Sequence, residues 1–196
     1  EDLDFTWMDQ KVFEGKSENQ KRKMLSLEIN HLMKLFEANA ITIGLDFKAE
    51  KHNRHFVQLG GSNRFVTFKF WYKSAIDSRE TFIKTQLNFV DKIFHKQKKL
   101  QVKAIATKLV QKKKGPLELE YPEFSIMTVS SPEFFCYDLK EICSEKIRAL
   151  LTRRGFKARD IVDLYMLSKK KIAIQSVKNI AIEKTKFMLK YLKYGE

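Results

Sequence analysis

"EDLDFTW" (Glu1–Trp7) alternates acidic with apolar side chains and runs into an aromatic pair. In an extended strand, residues two apart share a face, so Asp2 and Asp4 project together while Leu3 and Phe5 project to the opposite, apolar side. The stretch predicts a strand at a sheet surface with paired carboxylates on its polar face. Such a pair gives hard oxygen ligands to one or two divalent cations, with magnesium favoured where phosphates share the coordination. Asp-x-Asp is also frequent by chance, and a solvated strand end is the plain alternative.

The segments that follow predict the partners of that strand. Ser17 is an N-cap candidate, with Glu18 and Asn19 in the first turn, for a helix over about residues 18–39; Met24, Leu27, Leu32, Leu35 and Phe36 recur at helical spacing. "ITIGLDFKAE" (41–50), "NRFVTFKFWY" (63–72) and "TFIKTQLNFV" (81–90) alternate and are rich in β-branched and aromatic residues, which predicts three strands. Between strand patterns, Gly60, Gly61, Ser62 and Asn63 suit a hairpin loop better than a phosphate cradle. Residues 115–135 read as extended, with Pro122 and Pro132 against helix. Asp138 and Glu141 form a capping-box pattern for a helix that Gly155 would stop. Further helices start near Ala158 and Lys171, the last with an apolar face of Val177, Ile180, Ala181, Phe187, Met188, Tyr191 and Leu192.

The fold class is therefore α+β, a mixed sheet with flanking helices over residues 1–132 and a helical unit over 133–196. The 196 residues, 43% hydrophobic, suffice for a sizeable core. No apolar run approaches the roughly 18 residues of a membrane helix and no signal-peptide pattern opens the chain, so a cytoplasmic location is expected. Cys136 and Cys143, with no histidine nearby, read as two buried reduced thiols without metal or disulfide.

The formal net charge is +14. An excess of that size points to a polyanion, usually nucleic acid, although a charged surface alone names no chemistry. From Lys92 to Leu117 there is no acidic residue, and Lys96, Lys98, Lys99, Lys103, Lys112, Lys113 and Lys114 fall inside this block. Lysines so placed neutralise phosphates without reading bases, which suits an RNA backbone; a solvated charged face competes with that. A second dense charge group, Lys146, Arg148, Arg153, Arg154, Arg159, Asp160 and Asp163, crowds a predicted helical hairpin. Arg159 and Asp163, four apart, would make at least a surface ion pair.

Taken in order, "EDLDF", "FIKTQLNF", "EKIRAL" and "ARDIVDLY" resemble the AbiEii/AbiGii toxin family of nucleotidyltransferase-like proteins over essentially the whole chain. The resemblance implies a magnesium-dependent nucleotidyltransferase, the toxin of a toxin–antitoxin (abortive infection) pair. It would move a nucleotidyl group from a nucleoside triphosphate to an RNA such as transfer RNA, and have a cognate antitoxin protein as partner. It implies further that Asp2 and Asp4 hold magnesium and that Lys146 contacts the nucleotide phosphates. Asp160 would complete the catalytic set, with Arg153, Arg159 and Asp163 beside the nucleotide. In that family a Gly-Ser element lies ahead of the Asp-x-Asp strand, so the chain is expected to open inside its own site. Family members commonly carry glutamate where this sequence has Gln86. An amide ligates through oxygen but accepts no proton as a general base. The alternative that follows is a nucleotide- or RNA-binding protein of the same fold without turnover.

Overall fold

The structure, a computed structural model, describes residues 2–61, 63–74, 77–102, 132–153, 155 and 157–191. They belong to two compact units, residues 1–92 and 93–196.

In the first unit the order is β1 (Asp2–Thr6), a 3-10 turn (Gln10–Phe13), α1 (Glu18–Thr42), β2 (Val57–Gly60), β3 (Phe65–Lys73) and β4 (Glu80–Asn88). The sheet runs β1-β4-β3-β2, with β1 parallel to β4 and the other two pairs antiparallel. Ser17 caps α1 through a full capping box: its hydroxyl accepts from the Gln20 N–H, and the Gln20 side chain accepts from the Ser17 N–H. The expected hairpin joins β2 to β3, where Gly61 (φ +53°) and Asn63 (φ +71°) take the left-handed conformations a tight reversal requires.

The helix face is only partly the one the periodicity named, for Leu32 and Phe36 pack against the core but are not its centre. Leu25, Ile29, Met33 and Ala40 are buried on α1, while Leu27 and Leu35 are exposed. This buried stripe packs against Val57, Val66, Phe68 and Phe70 of the sheet, with Phe47, Phe56 and Phe89 closing the core. Phe36 meets the rings of Phe47, Phe68 and Phe70 edge-on at 6.4, 5.0 and 5.4 Å between centroids. The expected strand at 41–50 is also corrected. Its first two residues continue α1, Gly44 at φ +72° then turns the chain out of the helix, and Asp46 alone bridges to Trp71. What looked like strand alternation is a helix end followed by a loop that inserts Leu45 and Phe47 into the core. Beside β1, Leu3 and Phe5 stay roughly half exposed along an apolar groove of about 600 Å³ shared with Phe36, Ile43 and Leu87.

The second unit pairs β5 (Lys98–Gln101) with β6 (Glu133–Cys136) and carries α2 (Leu139–Thr152), α3 (Ala158–Lys169) and α4 (Ile174–Tyr191). Three helices close the chain as expected, α2 packing on both α3 and α4. Among the described residues its apolar core gathers Cys143, Leu167 and Val177, with Ile142, Ile147, Leu164 and Ile172 around them. Both cysteines are free, but only Cys143 is buried; Cys136 is half-buried.

A buried ionic network lies beside that cluster. Lys184, 1% exposed on the core face of α4, places Nζ 2.6 Å from Oε1 of Glu141 and 2.6 Å from Oε1 of Glu145. Glu141 therefore makes no capping box. Its Oε2 instead accepts the backbone N–H groups of Phe94 (3.2 Å) and His95 (3.0 Å), fixing the entry of the chain into this unit. Asp138 caps α2 alone, accepting from the Lys140 N–H. Glu145 Oε2 takes the Arg148 guanidinium at 2.9 and 2.8 Å. Burial pushes the Glu145 carboxyl up, but the Lys184 and Arg148 charges outweigh it and hold it below its usual range.

Removing only the cation strands a carboxylate in the interior. Lys184→Met is expected to cost about 3–5 kcal/mol in urea denaturation, and adding Glu141→Gln, which keeps the acceptor for both N–H groups, recovers part of that loss. Equal stability of the single variant and the parent would show that the network contributes nothing net.

Candidate functional site

The parallel register sets Asp2 opposite Lys84, Leu3 opposite Thr85 and Asp4 opposite Gln86. Thr85 is buried and Leu87 packs on the core, so Lys84 and Gln86 point to the other face, and Asp2 and Asp4 with them. The two carboxylates thus share the polar face of the sheet, across from α1, on an exposed edge strand. Lys84 Nζ lies 2.8 Å from Asp2 Oδ2. Gln86 Nε2 donates to Thr67 Oγ1 at 3.3 Å, turning its amide toward β3. Thr67, Lys69, Phe82, Lys84 and Gln86 line a shallow basin of about 290 Å³ on the same side, with Lys69 Nζ 5.6 Å from the Phe82 ring centre.

Among the described residues no three histidine, cysteine or acidic side chains gather into a metal-holding group. Two carboxylates and an amide oxygen are too few for a closed protein cage. They fit magnesium, which is commonly bound through one or two carboxylates and completed by water and substrate phosphates.

In the second unit the structure brings together four of the expected site residues. Lys146 Nζ lies 3.2 Å from Asp160 Oδ1 and 2.5 Å from Asp163 Oδ2, and Arg153 Nη1 lies 2.5 Å from Asp160 Oδ2. Asp160 is 1% exposed, near the start of α3, so its charge is fully engaged in tying α3 to α2 and to the residue after it. Burial pushes the Asp160 carboxyl up; the Lys146 hydrogen bond and the charges of Arg153, Lys146 and Arg159 overcome this and hold it low. Lys146 shifts the other way: burial lowers it, but hydrogen bonds and charge from Asp163 and Asp160 raise it overall. Arg159 is exposed, and the pair expected between Arg159 and Asp163 is replaced by Lys146–Asp163. An interhelix contact to a half-buried ammonium displaces a solvated pair along one helix.

The lysine block divides. Lys96 is exposed, Lys98 pairs with Asp138 at 2.7 Å, and Lys99 pairs with Glu133. Lys103, Lys112, Lys113 and Lys114 lie outside the described residues. Lys84 and Lys69, not singled out from the sequence, lie on the same face as the two aspartates; the signal for Lys84 was available, since it stands two residues before Gln86 in "FIKTQLNF", and Lys69 is its cross-strand neighbour.

Compared with known proteins, residues 1–191 match the family model described as "Nucleotidyl transferase AbiEii toxin, Type IV TA system". No curated protein and no solved structure matches the chain.

Two outcomes follow from this geometry. Gln86→Glu places a like charge directly opposite Asp4; without metal it should lose roughly 0.2–1 kcal/mol of stability, and magnesium should restore more stability to it than to the parent, measured by thermal unfolding across a magnesium titration. Asp160, with its depressed value, contributes stability that is present above the ordinary carboxylate range near pH ~3.9 and is lost as pH falls through its folded value. Asp160→Asn should therefore cost roughly 1.5–3 kcal/mol at neutral pH and show a shallower acid limb in a stability–pH profile.

Proposed function

The chain belongs to the AbiEii nucleotidyl transferase toxin family of a type IV toxin–antitoxin system, with an antitoxin as partner, and from that membership we propose a magnesium-dependent transfer of a nucleotidyl group to RNA in the cytoplasm. The observation that carries this reading is the coincidence of that family match with Asp2 and Asp4 on one open sheet face beside Lys84 and Lys69. No helix among the described residues is long and apolar enough to cross a membrane.

In the proposed reaction an RNA hydroxyl, on transfer RNA or a similar acceptor, forms a bond to the α-phosphorus of a nucleoside triphosphate. The bond to pyrophosphate breaks, and the hydroxyl proton leaves. Asp2 and Asp4 would hold magnesium, which when bound supplies neutralisation of phosphate charge. Lys84, now against Asp2, and Lys69 across from it present two ammonium groups to the triphosphate. Phe82 offers an apolar ring edge to the base or sugar. Gln86 is neutral and takes no proton, which leaves Asp4 as the carboxylate on this face to accept one. In the second unit Lys146 and Arg153 would contact phosphate oxygens while Asp160 fixes them; Asp163 and Arg159 set the edge of that group, and Lys96, Lys98, Lys99, Lys103, Lys112, Lys113 and Lys114 would follow the RNA backbone. Rate acceleration then rests on positioning and charge.

Gln86 opposite Asp4 favours a second reading, retention of nucleotide or RNA without turnover. Incubation of the protein with magnesium, each labelled triphosphate and total RNA separates the two. Label on RNA that disappears in Asp2→Ala, Asp4→Ala is the expected result and identifies nucleotide and acceptor. Triphosphate binding without label on any RNA would leave only the binding protein.

A further inference from the structure

On the flank of α1, an open cleft of about 620 Å³ lies between the first half of the helix, residues 51–52 and the β2–β3 turn. Its polar lining includes Asn19, Arg22, Lys23, Lys51, His52 and Asn63, and no carboxylate lines it. Arg22, Lys23 and His52 are exposed; Lys51 is partly buried. Lys51 Nζ gives its hydrogen bonds to Ser26 Oγ (2.6 Å), Ser26 O (3.3 Å) and Asn30 Oδ1 (3.2 Å), all neutral acceptors. An ammonium so held has its donors satisfied and its charge uncompensated, and burial lowers its pKa. Three carboxylates adjoin the lining in sequence without lining it: Glu18 is engaged by Lys21 at 3.3 Å and by Arg64, Glu50 accepts from the Asn53 amide at 2.7 Å, and Glu28 follows Leu27. The cleft therefore concentrates positive charge that no side chain lining it cancels.

The lining also selects among anions. Arginine, lysine, asparagine and serine are the side chains that contact phosphate and sugar oxygens. No aromatic side chain lines the cleft apart from the His52 imidazole, so a free nucleotide finds little platform for its base, whereas a strand that displays only its backbone needs none. The dimensions exceed those of a single small anion. Read with the net charge of +14, these features fit a run of phosphodiesters.

We propose that this cleft is an RNA-backbone site, gripping the acceptor strand by its phosphates through Arg22, Lys23 and the fixed charge of Lys51. It rests on RNA being the acceptor, and it lies outside the residues assigned to the transfer chemistry.

The test uses the full chain, a short fluorescent single-stranded RNA of mixed sequence at several salt concentrations, and ATP in parallel by calorimetry. Arg22→Ala, Lys23→Ala removes two exposed cations and should weaken RNA binding roughly tenfold at low salt, lowering the salt slope by about 1.4, that is about 0.7 for each phosphate on a single strand. ATP affinity should not change. Asn30→Asp, which gives Lys51 an internal carboxylate, should also weaken RNA binding while raising the melting temperature, so that the loss cannot be laid to misfolding. Unchanged RNA affinity and slope in both variants overturns the proposal, as does a loss confined to ATP, which would make the cleft a site for small phosphate-bearing ligands. A parent chain that binds no RNA overturns the proposal and the RNA acceptor together. Binding that the variants leave intact overturns the cleft alone.

Discussion

The register of β1 on β4 is the constraint on which the polar face of the first unit's sheet depends. A strand's side-chain period is two, so a slip of one residue would turn Asp2 and Asp4 into the core side and Leu3 and Phe5 out to the polar side. Several contacts hold the observed alignment. Beyond the strand the Trp7 N–H donates to the Asn88 carbonyl at 2.8 Å, and the Trp7 ring meets Phe89 at 5.5 Å. Gln10 then accepts the Asp91 N–H at 3.0 Å, while Lys84 pins the start of the strand through Asp2. A strand of five residues at a sheet edge has few hydrogen bonds of its own, so these terminal contacts decide its alignment.

Charge in this protein is unevenly available. Lys84, Lys98, Lys99, Lys146 and Lys184 all sit against carboxylates, some at the surface and one in the interior. Their contribution to a long-range field is reduced by the partner beside them. Lys51 keeps its own, because the acceptors around it are neutral, and no carboxylate lines the cleft beside Arg22 and Lys23. A net excess of positive charge thus becomes local potential only where the fold leaves cations without counter-charges, and a polyanion responds to that local potential.

What the sequence disclosed follows from how local each signal is. The alternation in "EDLDF" and "FIKTQLNF" is a local strand signal, and both strands appear, with Asp2 and Asp4 on one face of the first. Helix existence was equally legible, since capping by Ser17 and Asp138 is a local property. The helix face was harder: α1 carries apolar residues nearly all round, Leu27 and Leu35 included, and only the sheet chooses among them. Glu141 illustrates a second limit. Its position satisfied the capping-box spacing, but Lys184, 43 residues later on another helix, offers a buried cation and wins. A trace existed, for Lys184 falls in the stripe of Val177, Ile180 and Ala181, where a charge needs a buried partner. The identity of that partner is tertiary information.

Gln86 can be weighed by charge balance on the sheet face. As built, Asp2 faces Lys84 and Asp4 faces Gln86, while Lys69 lies opposite Lys84 one strand further on, so this face carries two negative and two positive groups across three neighbouring strands. A glutamate at position 86 would add a third negative charge directly opposite Asp4, a repulsive arrangement unless a cation sits among the three. With the amide, the face is neutral before any ligand arrives, and the Gln86–Thr67 hydrogen bond holds β4 to β3 without charge. A divalent cation entering alone would then meet two ammonium groups as well as two carboxylates. A triphosphate would bring its own anions, which Lys84 and Lys69 could take, and Asp2 and Asp4 would be the carboxylates available to hold a divalent cation. In the proposed reaction an amide in place of a carboxylate would leave the protein with fewer charged ligands for a metal, and the lysines on this face would take a share of nucleotide recognition.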